Sequence, residues 1–225
     1  MLGLRLNRSK QMLHLNLQRA WFVLAGLLAM MMTLSSAVHA QDPQLKQIFT
    51  QLSATSLVRA NFEQQKKLAS LNKTFVSKGT ILFSKSQGVI WKIQTPVKAD
   101  LVVTPRKLVQ KTQRTYSQID MEKSPYGSVA TMFLQLMSGD ETALVKNFNI
   151  VSVRYTPAQW NVALTPKSGL FKKLFVRVDV QGQRYVDRIV LLEKANNSTT
   201  IRFSQQTTQP QTLMAEENAL FQLAK

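Results

Sequence analysis

The sequence predicts an α+β fold in which one long antiparallel sheet carries a few short helices over its apolar face. Three observations lead there. From Leu57 onward apolar and polar residues alternate, and turn signals interrupt them about every ten residues. Two stretches, one ahead of the strands and one in the middle, change to helical spacing. Each strand also has one apolar and one largely polar side, so a sheet built from them has a single face to cover.

The chain of 225 residues opens with a leader. Arg5, Arg8, Lys10 and Arg19 form a basic n-region, residues 20–34 an apolar h-region, and Val38-His39-Ala40 a signal-peptidase site. The apolar run is shorter than the roughly 20 residues of a spanning helix, so cleavage is expected rather than a retained anchor. Residues 1–40 are then a signal peptide and residues 41–225 a single domain, whose length of about 185 residues can bury a core. Both histidines, His14 and His39, lie in the leader, and the chain has no cysteine. The exported protein therefore excludes Ser-His-Asp and Cys-His catalysis, zinc sites built on His or Cys, and disulfides. With no Cys after the leader to carry a lipid, a protein free in the periplasm of a Gram-negative-type envelope is expected.

Asp42 caps the first helix and Pro43 opens it, with Leu45, Ile48, Phe49 and Leu52 on one side. Residues 53–56 break it. The first strand alternates Val58, Ala60 and Phe62 with Arg59, Asn61 and Glu63. Residues 64–72 read as a polar connection. Residues 74–83 form a second strand with Gly79 near its middle, 84–88 a turn, and 89–93 a third strand closed by Thr95-Pro96. Residues 100–104 and 107–113 add two more strands. Pro125-Tyr126-Gly127 then opens a helix carrying Val129, Met132, Phe133, Leu136 and Met137, stopped by Ser138-Gly139-Asp140. Residues 140–146 fit another short helix. Strands resume at 148–155, 160–165, 171–180, 185–193 and 199–204, with turns at Gly182 and Asn196-Asn197. Within the third of these spans, Leu174, Val176, Val178 and Val180 share one side.

The paired carboxylates are Asp120 with Glu122, Asp140 with Glu141, and Glu216 with Glu217. Such pairs can do acid–base work, but these read as solvated acids. Asp140-Glu141 suits a helix start, and Glu216-Glu217 a polar turn near the chain end. There is no P-loop, GxGxxG or GxSxG. The expectation is no enzyme, no metal and no cofactor.

About ten strands in one sheet should curl rather than stay flat. A concave apolar face under a thin helical cover suits an elongated apolar ligand. An ordinary filled core beneath the helices is the other reading of the same pattern.

The order of helix, strands, helix pair and strands resembles that of the LolA-type periplasmic lipoprotein carriers. Ser56-Leu57-Val58-Arg59-Ala60-Asn61-Phe62-Glu63-Gln64 looks like the family's opening strand. Gly79-Thr80-Ile81-Leu82-Phe83, Lys85, Val89-Ile90-Trp91, Pro96 and Leu101-Val102-Val103 follow the family's second motif series, and Leu164-Thr165-Pro166-Lys167 its L-T-P-K segment. The stretch 79–103 looks closest to a diverged LolA-like branch. The resemblance implies an incomplete, strongly curved antiparallel β-barrel, of about ten to eleven strands, with short helices as a lid. It also implies carriage of acyl chains from an inner-membrane donor protein to an outer-membrane acceptor protein, with no cofactor. The family arginine that ties barrel to lid falls here on Lys85, which becomes the candidate latch.

By strict alternation, the expected lipid-binding wall comprises Val58, Phe62, Ile81, Phe83, Val89, Trp91, Ile93, Leu101 and Val103, with Trp160, Val162, Val176 and Val178 opposite. Met132, Phe133, Leu136 and Met137 would line the lid, where methionine is suitably adaptable.

Four of the 29 basic residues lie in the leader and all 12 acidic ones follow it, so the mature chain carries about +13. In the periplasm that charge argues against nucleic acid and for anionic headgroups or an acidic docking partner. The leading expectation is a monomeric carrier of a lipoprotein or another acylated envelope lipid, touching an anionic membrane surface transiently. The alternative is a non-transporting lipid sensor or scaffold on the same fold.

Overall fold

In the computed structural model, residues 42–121, 125–167 and 169–225 are described; the expected leader and Glu122 lie outside them. Helix α1 (Pro43–Ser53) starts where the sequence places it. The Asp42 carboxylate accepts the Gln44 N–H, Pro43 stands in the first turn, and Leu45, Ile48, Phe49 and Leu52 are buried.

Six strands follow: β1 (Leu57–Leu68), β2 (Lys73–Ser84), β3 (Gly88–Thr95), β4 (Ala99–Val103), β5 (Lys107–Thr112) and β6 (Tyr116–Asp120). Helices α2 (Pro125–Ser138) and α3 (Glu141–Asn147) come next. Then come β7 (Phe148–Tyr155), β8 (Trp160–Pro166), helix α4 (Gly169–Leu174), β9 (Phe175–Gly182), β10 (Val186–Glu193), β11 (Ser198–Thr207) and helix α5 (Ala215–Gln222).

All the strands join one antiparallel sheet in the order β6-β5-β4-β3-β2-β1-β11-β10-β9-β8-β7. Its two halves are meanders joined in the middle, where β1 pairs with β11. Consequently β6 and β7, consecutive in sequence, form opposite edges. The chain between them must cross the sheet, and it does so through α2 and α3. Topology thus puts those helices over one face. On that helical face a single cluster gathers residues of α1–α4 with those of both half-sheets, including Phe148 and Trp160 at 0% and 1% exposure.

Several elements depart from the sequence expectation. Residues 64–68 continue β1 instead of forming a connection, because Gln64 to Leu68 pair with β2 and most of them with β11. Strand β6 was not foreseen; its face pattern is almost wholly polar and exposed, which removes the alternation signal. The span 171–180 is not one strand. Residues 169–174 are helical, with Phe171 buried, and the strand begins at Phe175.

The chain end differs most. Glu216-Glu217 is not a polar turn but the first turn of α5, and Glu217 is buried. The foreseen α2 stop is present: Gly139 adopts φ of +71°. A Cβ there would lie 2.6 Å from the Ser53 nitrogen and 2.7 Å from the Phe49 carbonyl oxygen, so glycine lets α2 end against the α1 backbone. Gly79 has a similar role within the sheet, where a Cβ would come 1.9 Å from the Lys92 carbonyl oxygen.

Candidate functional site

The helical face is the candidate site. Val58, Phe62, Ile81, Phe83, Val89, Val103, Met132, Leu136, Met137, Trp160, Val162 and Val178 are all buried in one cluster, with Trp91, Ile93 and Phe133 half-buried against it. Its centre is aromatic. Trp91 on β3 lies 4.6 Å between ring centroids from Phe62 on β1, 5.6 Å from Phe133 on α2 and 6.3 Å from Phe203 on β11. A second aromatic group, Phe148, Phe171 and Phe175, closes the α4 end at centroid distances of 5.2 and 6.4 Å.

Two wall residues are not part of this packing. Leu101 is only half-buried and stands outside the cluster. Val176 is a correction: it is 49% exposed, whereas Phe175 before it and Val178 after it are buried. The cause is an irregular register, in which Leu192 pairs with Arg177 and Glu193 with Phe175. The extra residue shifts the alternation, so Phe175 takes the inward place assigned to Val176. Leu174, assigned to the same side, is in α4 and 38% exposed.

The covering helices are held differently. Helix α1 is tied by polar side chains to both half-sheets. The exposed Lys85 ammonium, in the β2–β3 turn, donates to the Ser53 carbonyl at 2.7 Å. The Gln51 amide donates to the Gln183 and Arg184 carbonyls at 2.6 and 3.1 Å. The Gln44 side-chain oxygen accepts the Tyr155 N–H. Trp160 reinforces this corner, its indole N–H donating to the Gln183 carbonyl at 2.7 Å. Helix α3 is tied by Lys167, whose ammonium donates to the Val145 carbonyl. From Val129 to Ser138, the α2 side chains make no hydrogen bond to the sheet. Lys85 therefore holds the end of α1, which packs against the end of α2, and does not touch Met132, Phe133, Leu136 or Met137 directly. Gln44 and Gln51 escaped sequence reasoning because exposed glutamines on a helix carry no pattern.

The far face of β1–β5 is also covered, which the sequence reading missed. Leu57, Leu82, Ile90, Val102 and Val109 bury against Phe221 and Ala224 from the C-terminal segment. Arg59 anchors that segment. Its guanidinium donates to both Glu217 oxygens at 2.7 Å and to the Pro210 and Thr212 carbonyls at 2.6 and 3.0 Å. Burial works to raise the Glu217 carboxyl's pKa. The Arg59 hydrogen bond, the Met214 N–H and the charges of Arg59 and Lys92 outweigh it and hold the group below its ordinary value. The signal was present in Leu213, Leu220, Phe221 and Leu223, but a helix of eight residues is too short to stand out. Among the described residues, no three His, Cys, Asp or Glu side chains gather to hold a metal.

An antiparallel sheet of eleven strands, with one face closed by α1–α4 and part of the other by the C-terminal segment, is the fold class of this chain. The family model for the outer membrane lipoprotein carrier protein LolA matches residues 53–222, and the chain belongs to that family, whose members are non-enzymatic periplasmic carriers. No curated protein sequence matches it. Among solved structures it is similar to a LolA superfamily protein from Nitrosomonas europaea, at 10% identity over 72% of this chain and 92% of that one, with a TM-score of 0.41. It is also similar to an outer membrane lipoprotein-sorting protein domain from Vibrio parahaemolyticus, at 8% identity over 79% and 96% of the chains and a TM-score of 0.44. LprF from Mycobacterium bovis is a further similar structure, at 14% identity, 73% and 93% coverage and a TM-score of 0.35.

Proposed function

We propose that this protein is a periplasmic carrier that shields the acyl chains of a lipoprotein or other acylated envelope lipid on their way to the outer membrane. The observation that carries the reading is the continuous apolar face of both half-sheets under helices in a LolA-family chain. Moving an acyl chain out of a membrane costs about 0.8 kcal/mol per CH₂, so the carrier needs an apolar surface of this extent, an inner-membrane donor protein and an outer-membrane acceptor protein.

The proposal includes a curled sheet and a movable lid. A flat sheet of this order would put β6 and β7 about 48 Å apart. Helices α2 and α3, of 14 and 7 residues, span only about 31 Å between them, and few residues join them to the strands, which favours edges that approach each other. Helix α2 is the moving part, because apolar packing with adaptable Met132 and Met137 is what holds its described residues. Val58, Phe62, Ile81, Phe83, Val89, Trp91, Ile93, Val103, Trp160, Val162 and Val178 form the wall that it uncovers, with Leu101 at its margin.

Native mass spectrometry of protein purified from its own periplasm tests the carrier reading. A stoichiometric acylated species is the expected result. A consistently empty protein refutes carriage and favours the sensor or scaffold reading, to which the tight packing of the helical face in its own side chains lends support. The latch is tested separately. If Lys85 restrains the lid through α1, Lys85→Leu speeds uptake of a fluorescent fatty acid about threefold, the modest effect that an exposed charged contact allows. Unchanged on- and off-rates return Lys85 to the solvated surface.

A further inference from the structure

We propose that the far face of β7–β10 is a docking surface for an extended acidic segment of a partner protein. The register builds a single row across five strands: Arg154 pairs with Asn161, Asn161 with Gln181, Gln181 with Arg188 and Arg188 with Arg202. These side chains point away from the helices, since their neighbours Val153, Val162, Val180, Ile189 and Ile201 pack on the helical face. Arg154, Asn161, Gln181 and Arg188, with Ser152 and Arg177, line a groove of about 510 Å³.

The charges in this groove are not balanced. Arg177 is occupied by Asp179, with contacts of 2.8 and 2.9 Å to its carboxylate. Among the described residues, Arg154 and Arg188 have no carboxylate partner. The Arg188 Nε is shut off from solvent and makes no hydrogen bond. Arg202, directly opposite Arg188, is a like charge at a paired position, an arrangement that destabilises a sheet. Its other neighbour in the row is Glu63, whose carboxylate feels the Arg202 charge but is shared with Lys78 and Gln65. A face serving only solubility has no need of a shielded, unpaired guanidinium beside another. An anionic occupant offsets the like-charge repulsion with charge-assisted hydrogen bonds to the guanidinium groups.

The geometry selects the kind of anion. Arg154 and Arg188 are three strands apart, about 14 Å, too far to share one phosphate or carboxylate. The occupant must therefore be linear and carry several charges. A bilayer surface is a plane and meets only the rim of a groove, whereas an extended chain can lie along it beside the half-buried Arg188. The chain's apolar residues also have places to rest, because Val176 and Leu192 stand exposed beside Arg177, at 49% and 38%. The surface is on the opposite side of the sheet from the helices, so it is independent of what the helical face carries.

The test uses a fluorescein-labelled octapeptide alternating Glu and Ala, with its Lys–Ala counterpart and phosphatidylglycerol vesicles as comparisons. The acidic peptide should bind, more weakly as salt rises. The double variant R154Q/R188Q should weaken binding about tenfold, while K172Q/K173Q, with the same loss of charge on α4, should change it less than about twofold. Equal losses in the two doubles, or vesicle binding that depends on Arg154 and Arg188 without peptide binding, would overturn the proposal. Amide NMR of the unaltered protein provides a readout free of folding effects: shifts on peptide addition should fall on β7–β10 around Arg154, Asn161, Gln181 and Arg188. Shifts confined elsewhere also overturn it.

Discussion

Strands β1–β5 and β7–β11 are both antiparallel meanders with one apolar side turned to the helices, yet their far sides have opposite characters. On the first half that side holds Leu57, Leu82, Ile90, Val102 and Val109, covered by the C-terminal segment. On the second it holds Arg154, Arg177, Arg188 and Arg202 among amides, with no helix of the described residues over it. A sheet strand that is apolar on both sides needs two covers, and the chain supplies the second one with α5. A strand that is polar on its far side needs none and leaves that surface free to meet a partner. The difference separates a half of the sheet whose two faces both serve stability from one whose far face is free for recognition.

Substitutions that break this contrast should have unequal effects on stability. Phe221 is 2% exposed beneath the strapped half, and Phe221→Ala should lower the unfolding free energy by about 3–4 kcal/mol in urea titration. Arg59→Ala leaves Glu217 buried beside no guanidinium and should cost about 3 kcal/mol. A loss below 1 kcal/mol in either would mean that the strap is not part of the cooperative unit.

The bare half provides its own internal comparison. Val178→Ala on the helical face should cost about 2 kcal/mol, and Val176→Ala, two residues away but exposed, less than about 0.5. Equal costs would restore strict alternation and contradict the irregular register. Arg188→Gln separates the like-charged pair with Arg202 and should leave stability unchanged or raise it by up to about 0.5 kcal/mol, the reverse of Arg59→Ala.

The pH dependence sharpens the same difference. Because the folded Glu217 carboxyl titrates below its unfolded value of 4.5, the folded protein holds fewer protons there than the unfolded chain across that interval. The stabilisation is fully present above about 4.5 and is lost as pH falls through the lower folded value. Glu217→Gln should therefore be less stable than the unaltered protein at pH 7, and the gap should close progressively below pH 4.5. A gap that stays constant with pH would show that packing of α5, not the ionised carboxylate, carries the effect.

The elements that were legible in the sequence are those whose own residues state their geometry. Asp42-Pro43 marks the start of α1, Gly139 the end of α2, and alternation in 58–62 and 160–164 assigns inward faces without reference to any partner. The family motifs are local in the same sense. The failures share a different cause. Val176 points outward because of how β9 pairs with β10, and pairing is a property of two strands. Glu217 is buried only because Arg59, 158 residues away, turns the same way on β1. Helix α1 is tied at several points, through its own Gln51 and through Lys85 of the β2–β3 turn, and those ties depend on which turns the fold brings against it. Local order in the chain was enough to determine periodicity, caps and the apolar face. Register irregularities, the second cover and the row holding Arg154, Arg188 and Arg202 were decided only when distant strands met, because each depends on the neighbour that a side chain acquires on folding.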